Sequence, residues 1–254
     1  MTLLRSIAMA FACFSAIPMP RVEWGGRNMR YMMAALPVVG AVVGGLYLLW
    51  WQLCDTVGFG QVMRGAGLAL LPLAVTGGIH LDGFADVVDA QSSHAEPARK
   101  REVLKDPHVG AFAVMGIVCY LLATFACACE LSARMVGLLA CVPVVSRCLC
   151  GLATMTWRAS GTSGMLDAVR SSASMGVVCA ALGTVLATAS AGMLVLDVRV
   201  GAVALAAGGF AYAWVWRLSS RQFGGMSGDI AGFCLQMIEL VMLVGLTVGG
   251  RVLA

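Results

Sequence analysis

Asp82, Asp86 and Asp89 stand at i, i+4 and i+7 in HLDGFADVVDA, residues 80–90. On a helix that spacing puts three carboxylates on one face. Like charges so placed repel, and the helix is destabilised unless something neutralises them. A divalent cation would do so. Hard oxygen ligands suit Mg²⁺, which commonly pairs with one or two carboxylates and with substrate phosphates. His80 directly precedes the set. The bland alternative is a solvated acidic loop beside a structural histidine. Position argues against it, because the segment follows the apolar run GAGLALLPLAVTGGI. Of the chain's 13 acidic residues, Asp82, Asp86, Asp89, Glu96, Glu102 and Asp106 all fall between residues 80 and 106.

Two further places carry polar groups where they are costly. Arg147 lies inside the apolar stretch VVSRCLCG, and Glu239 inside the last apolar run. An isolated charge in a membrane helix costs roughly 3 kcal/mol on insertion scales. Arg147 therefore needs the bundle interior, a water-filled pocket or an anionic partner. Glu239 pairs with it or stays protonated. GGMSGD, from Gly224 to Asp229, sits at a polar-to-apolar transition. Its glycines allow a backbone to approach a phosphate, and a following helix would present free N–H groups. A flexible turn is the simpler reading.

The elements that must position these residues are membrane helices. The chain has 254 residues, of which 60% are hydrophobic and 12% charged, about half the charge of a soluble domain. Apolar stretches near 31–54, 62–80, 109–129, 134–156, 173–196, 200–218 and 230–250 are long enough to cross a bilayer as helices. The fold expected is all-α: a polytopic membrane bundle of about seven transmembrane helices forming one domain, 1–254. A short interfacial or partly inserted helix would precede it, ended by Pro18 and Pro20; a signal peptide is the alternative. The connections 18–30, 81–108, 157–172 and 219–229 are long and hold most of the basic residues. Those at 55–61, 130–133 and 197–199 are short and poor in them. Positive charge marks the cytoplasmic side, so the long set, with the acidic cluster, is expected to face the cytoplasm. The net charge of +4 comes from dispersed arginines and gives no nucleic-acid signal. The ten cysteines lie in or beside apolar runs and read as reduced packing residues.

GGIHLDGFADVVDA resembles the signature of the adenosylcobinamide-GDP ribazoletransferases, also called cobalamin-5′-phosphate synthases. The resemblance extends to LPVVGAVVGGL near the N-terminus and, after the signature, through REVLKDPHVGAF, SRCL at 146–149 and FGGMSGDIAGF at 223–233, with the blocks in the family's order. It implies a bacterial inner-membrane enzyme with its active site on the cytoplasmic side. Such an enzyme joins adenosylcobinamide-GDP to α-ribazole or its 5′-phosphate through the ribose 3′-hydroxyl, releases GMP and depends on Mg²⁺. It assigns Asp82, Asp86 and Asp89, with Asp106, to the metal. His80, Arg147 and the three aspartates become catalytic candidates. Arg147, Gly224, Gly225, Gly228, Asp229 and Lys105 become substrate contacts. The general base stays open between an unligated aspartate and His80, and homo-oligomer formation stays open as well. Four departures stand out: Ala90 replaces a glycine, Pro107 and His108 replace Ser and Arg, and Ser15-Ala16 replaces Thr-Arg. Arg21 is near enough in sequence to stand in for the missing arginine.

Two other classes compete. CDP-alcohol phosphotransferases also set aspartates at i, i+4 near a membrane, but Asp86 stands where their motif needs Arg, and no second D-x-x-x-D follows. A transporter could use buried charges such as Arg147 and Glu239, but no inverted repeat is visible and the acids cluster at one end.

Overall fold

The computed structural model describes residues 2–20, 23–104, 106, 108–161 and 164–253. The helices in chain order are α1 (Thr2–Phe14), α2 (Gly26–Met29), α3 (Met32–Val57), α4 (Gln61–Thr76), α5 (Ile79–Ser92) and α6 (Pro97–Val103). They continue with α7 (Ala111–Cys129), α8 (Val136–Thr156), α9 (Met165–Ser172), α10 (Met175–Leu196), α11 (Val198–Leu218) and α12 (Gly228–Val252). A 3₁₀ turn, Ala133–Met135, leads into α8, and a π turn, Ser219–Phe223, follows α11. There is no β-strand among the described residues.

Six of these helices are long and apolar enough to cross a membrane: α3, α7, α8, α10, α11 and α12. The pair α4 and α5 qualifies as a seventh only when taken together, and it is bent by 99°. This is the expected all-α polytopic bundle. α12 is its central post, with 67% of its apolar window buried against 17% for α7 and for α10. The ten cysteines are all free.

The span expected over 62–80 needs correcting. Helix α4 stops at Thr76, and Gly77 and Gly78 take φ of +65° and +81°. Only glycine adopts that left-handed region without strain. The chain leaves the corner at nearly a right angle as α5, which carries His80 and the three aspartates. The acidic face is therefore borne by a separate helix lying across one end of the bundle.

That helix rests directly on the central post. A Cβ added at Gly83 would lie 2.9 Å from the Asp229 backbone, and one at Gly232 would lie 2.8 Å from the His80 carbonyl oxygen. The two backbones can touch only because both positions lack a side chain. Beside the crossing, Phe84 stacks on Phe233 with ring centroids 5.5 Å apart and meets Tyr120 at 5.1 Å.

The long connections gather at this same end. Met226 N donates to Arg158 O at 2.7 Å, and Ser160 N to Met226 O at 2.9 Å. Ser174 N donates to Arg30 O at 3.2 Å. Lys100, buried in α6, donates to Gln91 and to Gln222, each at 3.1 Å. Ion pairs between Arg64 and Asp55 and between Arg251 and Glu130 mark the opposite end. Helix α1 ends at Phe14, ahead of Pro18 and Pro20; Ser15 Oγ donates to Phe11 O at 2.7 Å, and Ala16 N ties the chain to Val75 O at 2.8 Å.

Candidate active site

The three aspartates of α5 share a face but not a role. Asp82 is exposed, and Asp86 is half-buried. Asp229, in the first turn of α12, joins them across the Gly83 contact. Burial first, then the carboxylates of Asp82, Asp229 and Asp89, push Asp86 up to about 6. Asp89 is turned away toward α7. Its Oδ1 accepts from Ala113 N at 3.3 Å, capping that helix in place of Gly110, which has no side chain to do so. Asp106 accepts from its neighbour His108, at 3.0 Å from the backbone N, and its Oδ1 lies 2.6 Å from Nδ1. Those bonds hold the Asp106 carboxyl below its usual range. Asp82, Asp229 and Asp89 all lie near enough to Asp86 to raise it, while Asp89 also caps α7 and Asp106 is paired with His108.

Among the described residues, no group of three or more His, Cys, Asp or Glu side chains stands ready to enclose a metal ion. A complete protein cage is not what Mg²⁺ needs, since substrate phosphates commonly fill its remaining positions. The donor set is all hard oxygen, its carboxylates repel one another, and Asp82 remains open to an incoming ligand. These residues fit a metal that is completed by substrate.

Two cavities flank Asp229. One, of about 220 Å³, is walled by Phe14, Met33, Leu36 and Val169, with His80, Asp82 and Thr154 also lining it. The other, of about 420 Å³, is lined by polar groups including Arg101, Ser160, Asp167 and Ser227. Met165, Leu166, Gly228 and Asp229 border both. Helix α9 forms part of each wall through Met165 and Leu166. His80 is 7% exposed and stacks on Phe14 at 6.1 Å. Burial, and then Arg147, lower its pKa to about 3. It is neutral at working pH.

The remaining candidates divide. Arg147 is not at the carboxylates: its Nη1 donates to Glu239 Oε1 at 2.6 Å and to Pro143 O at 3.0 Å. Ser146 Oγ donates to the same Glu239 oxygen at 2.9 Å. The guanidinium is fully buried and lines neither cavity beside Asp229. The phosphate contact expected of it is replaced by an intrahelical and interhelical clamp. Gly224 and Gly225 have φ of +78° and +140°. A Cβ on Gly225 would lie 2.3 Å from Arg158 O, so this glycine serves a tight turn rather than an open phosphate nest. Gly228 is exposed, opens α12 and borders both cavities, while Ser227 Oγ accepts from Ile230 N at 3.2 Å as the helix cap. Lys105, Pro107 and Arg21 lie outside the described residues. Sequence reasoning missed Arg101 and Thr154. Arg101 opens the matched block REVLKDPHVGAF and carries charge, which is a weak signal; a threonine within an apolar helix carries none.

A family model described as cobalamin-5-phosphate synthase matches residues 6–247. An adenosylcobinamide-GDP ribazoletransferase of Lachnoclostridium phytofermentans is 33% identical over 238 residues, covering 94% of this chain and 91% of the relative. One from Geobacillus kaustophilus is 31% identical over 242 residues, covering 92% of each. One from Clostridium botulinum is 28% identical over 254 residues, covering 95% of this chain and 96% of the relative. No solved structure matches the chain.

Proposed function

The chain belongs to the cobalamin-5-phosphate synthase family, and from that membership we propose how its site works. The protein is a membrane transferase of cobalamin biosynthesis, an adenosylcobinamide-GDP ribazoletransferase. It joins adenosylcobinamide-GDP to α-ribazole or α-ribazole 5′-phosphate and releases GMP. The acceptor's 3′-hydroxyl oxygen bonds to the phosphorus that stays with the corrinoid. The bond from that phosphorus to the bridging oxygen breaks, GMP departs with that oxygen, and the hydroxyl proton is lost. Neither rival reading, CDP-alcohol phosphotransferase or transporter, has an observation in its favour.

The observation that carries the site assignment is the meeting of Asp82 on α5 with Asp229 on α12 in the wall of the apolar cavity, with Asp86 one turn further along α5. These three carboxylates would hold Mg²⁺, which supplies charge neutralisation for the pyrophosphate and the departing GMP. Arg101 faces the polar cavity and suits the anionic leaving group. His80, neutral and beside Asp82, is placed to accept a hydrogen bond from the attacking hydroxyl, and burial leaves it too weak a base to keep the proton. Arg147 and Glu239 act at a distance, by fixing α8 against α12. The basic long connections support a cytoplasmic orientation for this end of the bundle, in the bacterial inner membrane.

The test is GMP release by purified protein from adenosylcobinamide-GDP and α-ribazole 5′-phosphate, with and without Mg²⁺. Turnover should require the metal. Asp82→Asn and Asp229→Asn should each lower it by about 100-fold or more, with the folded protein still extracted from membranes. Normal turnover by both variants would remove these carboxylates from the site.

A further inference from the structure

Five buried side-chain nitrogen or oxygen atoms lack a hydrogen-bond partner among the described residues: Arg64 Nε, His80 Nε2, Arg147 Nε, Thr154 Oγ1 and Ser219 Oγ. Two of these residues, His80 and Thr154, come from different helices and line the same apolar cavity. They are 7% and 3% exposed. Buried polar atoms in native proteins are nearly always paired, and each exception needs an explanation. Water could pair them, but it would also wet the Phe14, Met33, Leu36 and Val169 walls for which it has no bonds to offer. A ligand with a flat apolar body and polar edge atoms satisfies both requirements.

Size narrows the choice. The cavity holds about 220 Å³, less than the roughly 300–1,000 Å³ that buries a drug-sized ligand whole. A corrin cannot enter it, but a bicyclic aromatic base can. Phe14 and the His80 ring, stacked 19° from parallel, present aromatic surface to such a base. Asp82 and Asp229 also line the cavity, so a sugar attached to the base would lie at the carboxylates.

We propose that this cavity, between α1, α3, α5, α8, α9 and α12, is the binding site for the acceptor's planar heteroaromatic base, with Thr154 Oγ1 donating to the base's free ring nitrogen. The identity of the ligand rests on the ribazole-transfer reading given above. Thr154 is then a specificity residue: it selects bases that carry a ring nitrogen lone pair, and the apolar walls select flat ones. Leu166 of α9, half-buried at the border with the polar cavity, limits the size of base admitted.

Thr154→Val removes the hydroxyl at nearly constant volume, and Leu166→Trp fills the cavity. KM for α-ribazole should rise about three- to tenfold in Thr154→Val and about tenfold or more in Leu166→Trp. KM for adenosylcobinamide-GDP should stay unchanged in Thr154→Val, since Thr154 lines only the apolar cavity. An α-ribazole analogue with C–H in place of the free ring nitrogen should be a poorer acceptor for the wild type by the same factor. Thr154→Val should not distinguish the two acceptors. Unchanged acceptor KM in folded Thr154→Val, a rise in the donor's KM instead, or equal use of the analogue by the wild type would each overturn the assignment. If Leu166→Trp does not fold, the near-isosteric Thr154→Val carries the test. If the wild type releases no GMP at all, the transfer reading fails separately. Equilibrium binding of α-ribazole to the wild type and Thr154→Val then decides the cavity: weaker binding by the variant supports it, and equal or absent binding overturns it.

Discussion

A carboxylate's role is set by what its oxygens already touch. Asp82 is free, Asp86 is crowded by like charges, Asp89 is spent on the α7 N-terminus and Asp106 on His108. The i, i+4, i+7 spacing made the shared face of α5 legible from the sequence. It could not show that α7 would begin with a glycine beside Asp89, nor that α12 would deliver Asp229 to the same place, because both depend on long-range packing. The crowding of Asp86 has a consequence in pH. A carboxyl raised in the folded state to about 6 favours folding while protonated. That contribution is complete below the ordinary carboxylate range and is lost as pH rises through the folded value. Metal-free protein in detergent should therefore show a thermal aggregation temperature that falls between about pH 4 and about pH 6. Asp86→Asn should flatten that slope; an unchanged slope would mean that another group is responsible.

Between elements, the decisive features are a corner and a clamp. The Gly77–Gly78 corner was hidden inside a stretch that reads as one continuous apolar run, since hydropathy sums over a window and is blind to backbone handedness. The other span positions were legible because their apolar runs end in charged or proline-containing connections. The clamp is Arg147 of α8 with Glu239 of α12. The sequence left its partner open, as an anionic substrate or Glu239, and packing decided for Glu239. Removing one partner of a buried pair strands the other charge and costs about 3–5 kcal/mol, whereas replacing both with matched neutral groups is often close to neutral. Arg147→Met should therefore lower the aggregation temperature sharply, and adding Glu239→Gln should restore most of it. A stable, fully active Arg147→Met enzyme would show that the pair fixes neither helix.

At the scale of the whole molecule, the alternate connections collect at opposite ends of one bundle, and the acidic helix lies across the end that holds the long ones. Cysteines placed at Ser93 and Arg221, both exposed, should label from the cytoplasmic side in a background without native cysteines. One at Ser132 should label only from the other side. Opposite labelling of Ser93 and Arg221 would refute the arrangement. The clamp also bears on how the molecule is made. Glu239 follows Arg147 by 92 residues, and the carboxylate sits on the last helix of the bundle. At about 5–20 residues per second of synthesis, the arginine waits roughly 5–20 s before its counter-charge exists. During that interval α8 is a poor lipid-facing span and needs shelter from the insertion machinery or from its earlier neighbours α3 and α4. Arrival of α12 is thus the step that closes the bundle, and it is the same step that brings Asp229 to the aspartates of α5. Maturation in the membrane and assembly of the site are, in this chain, a single event.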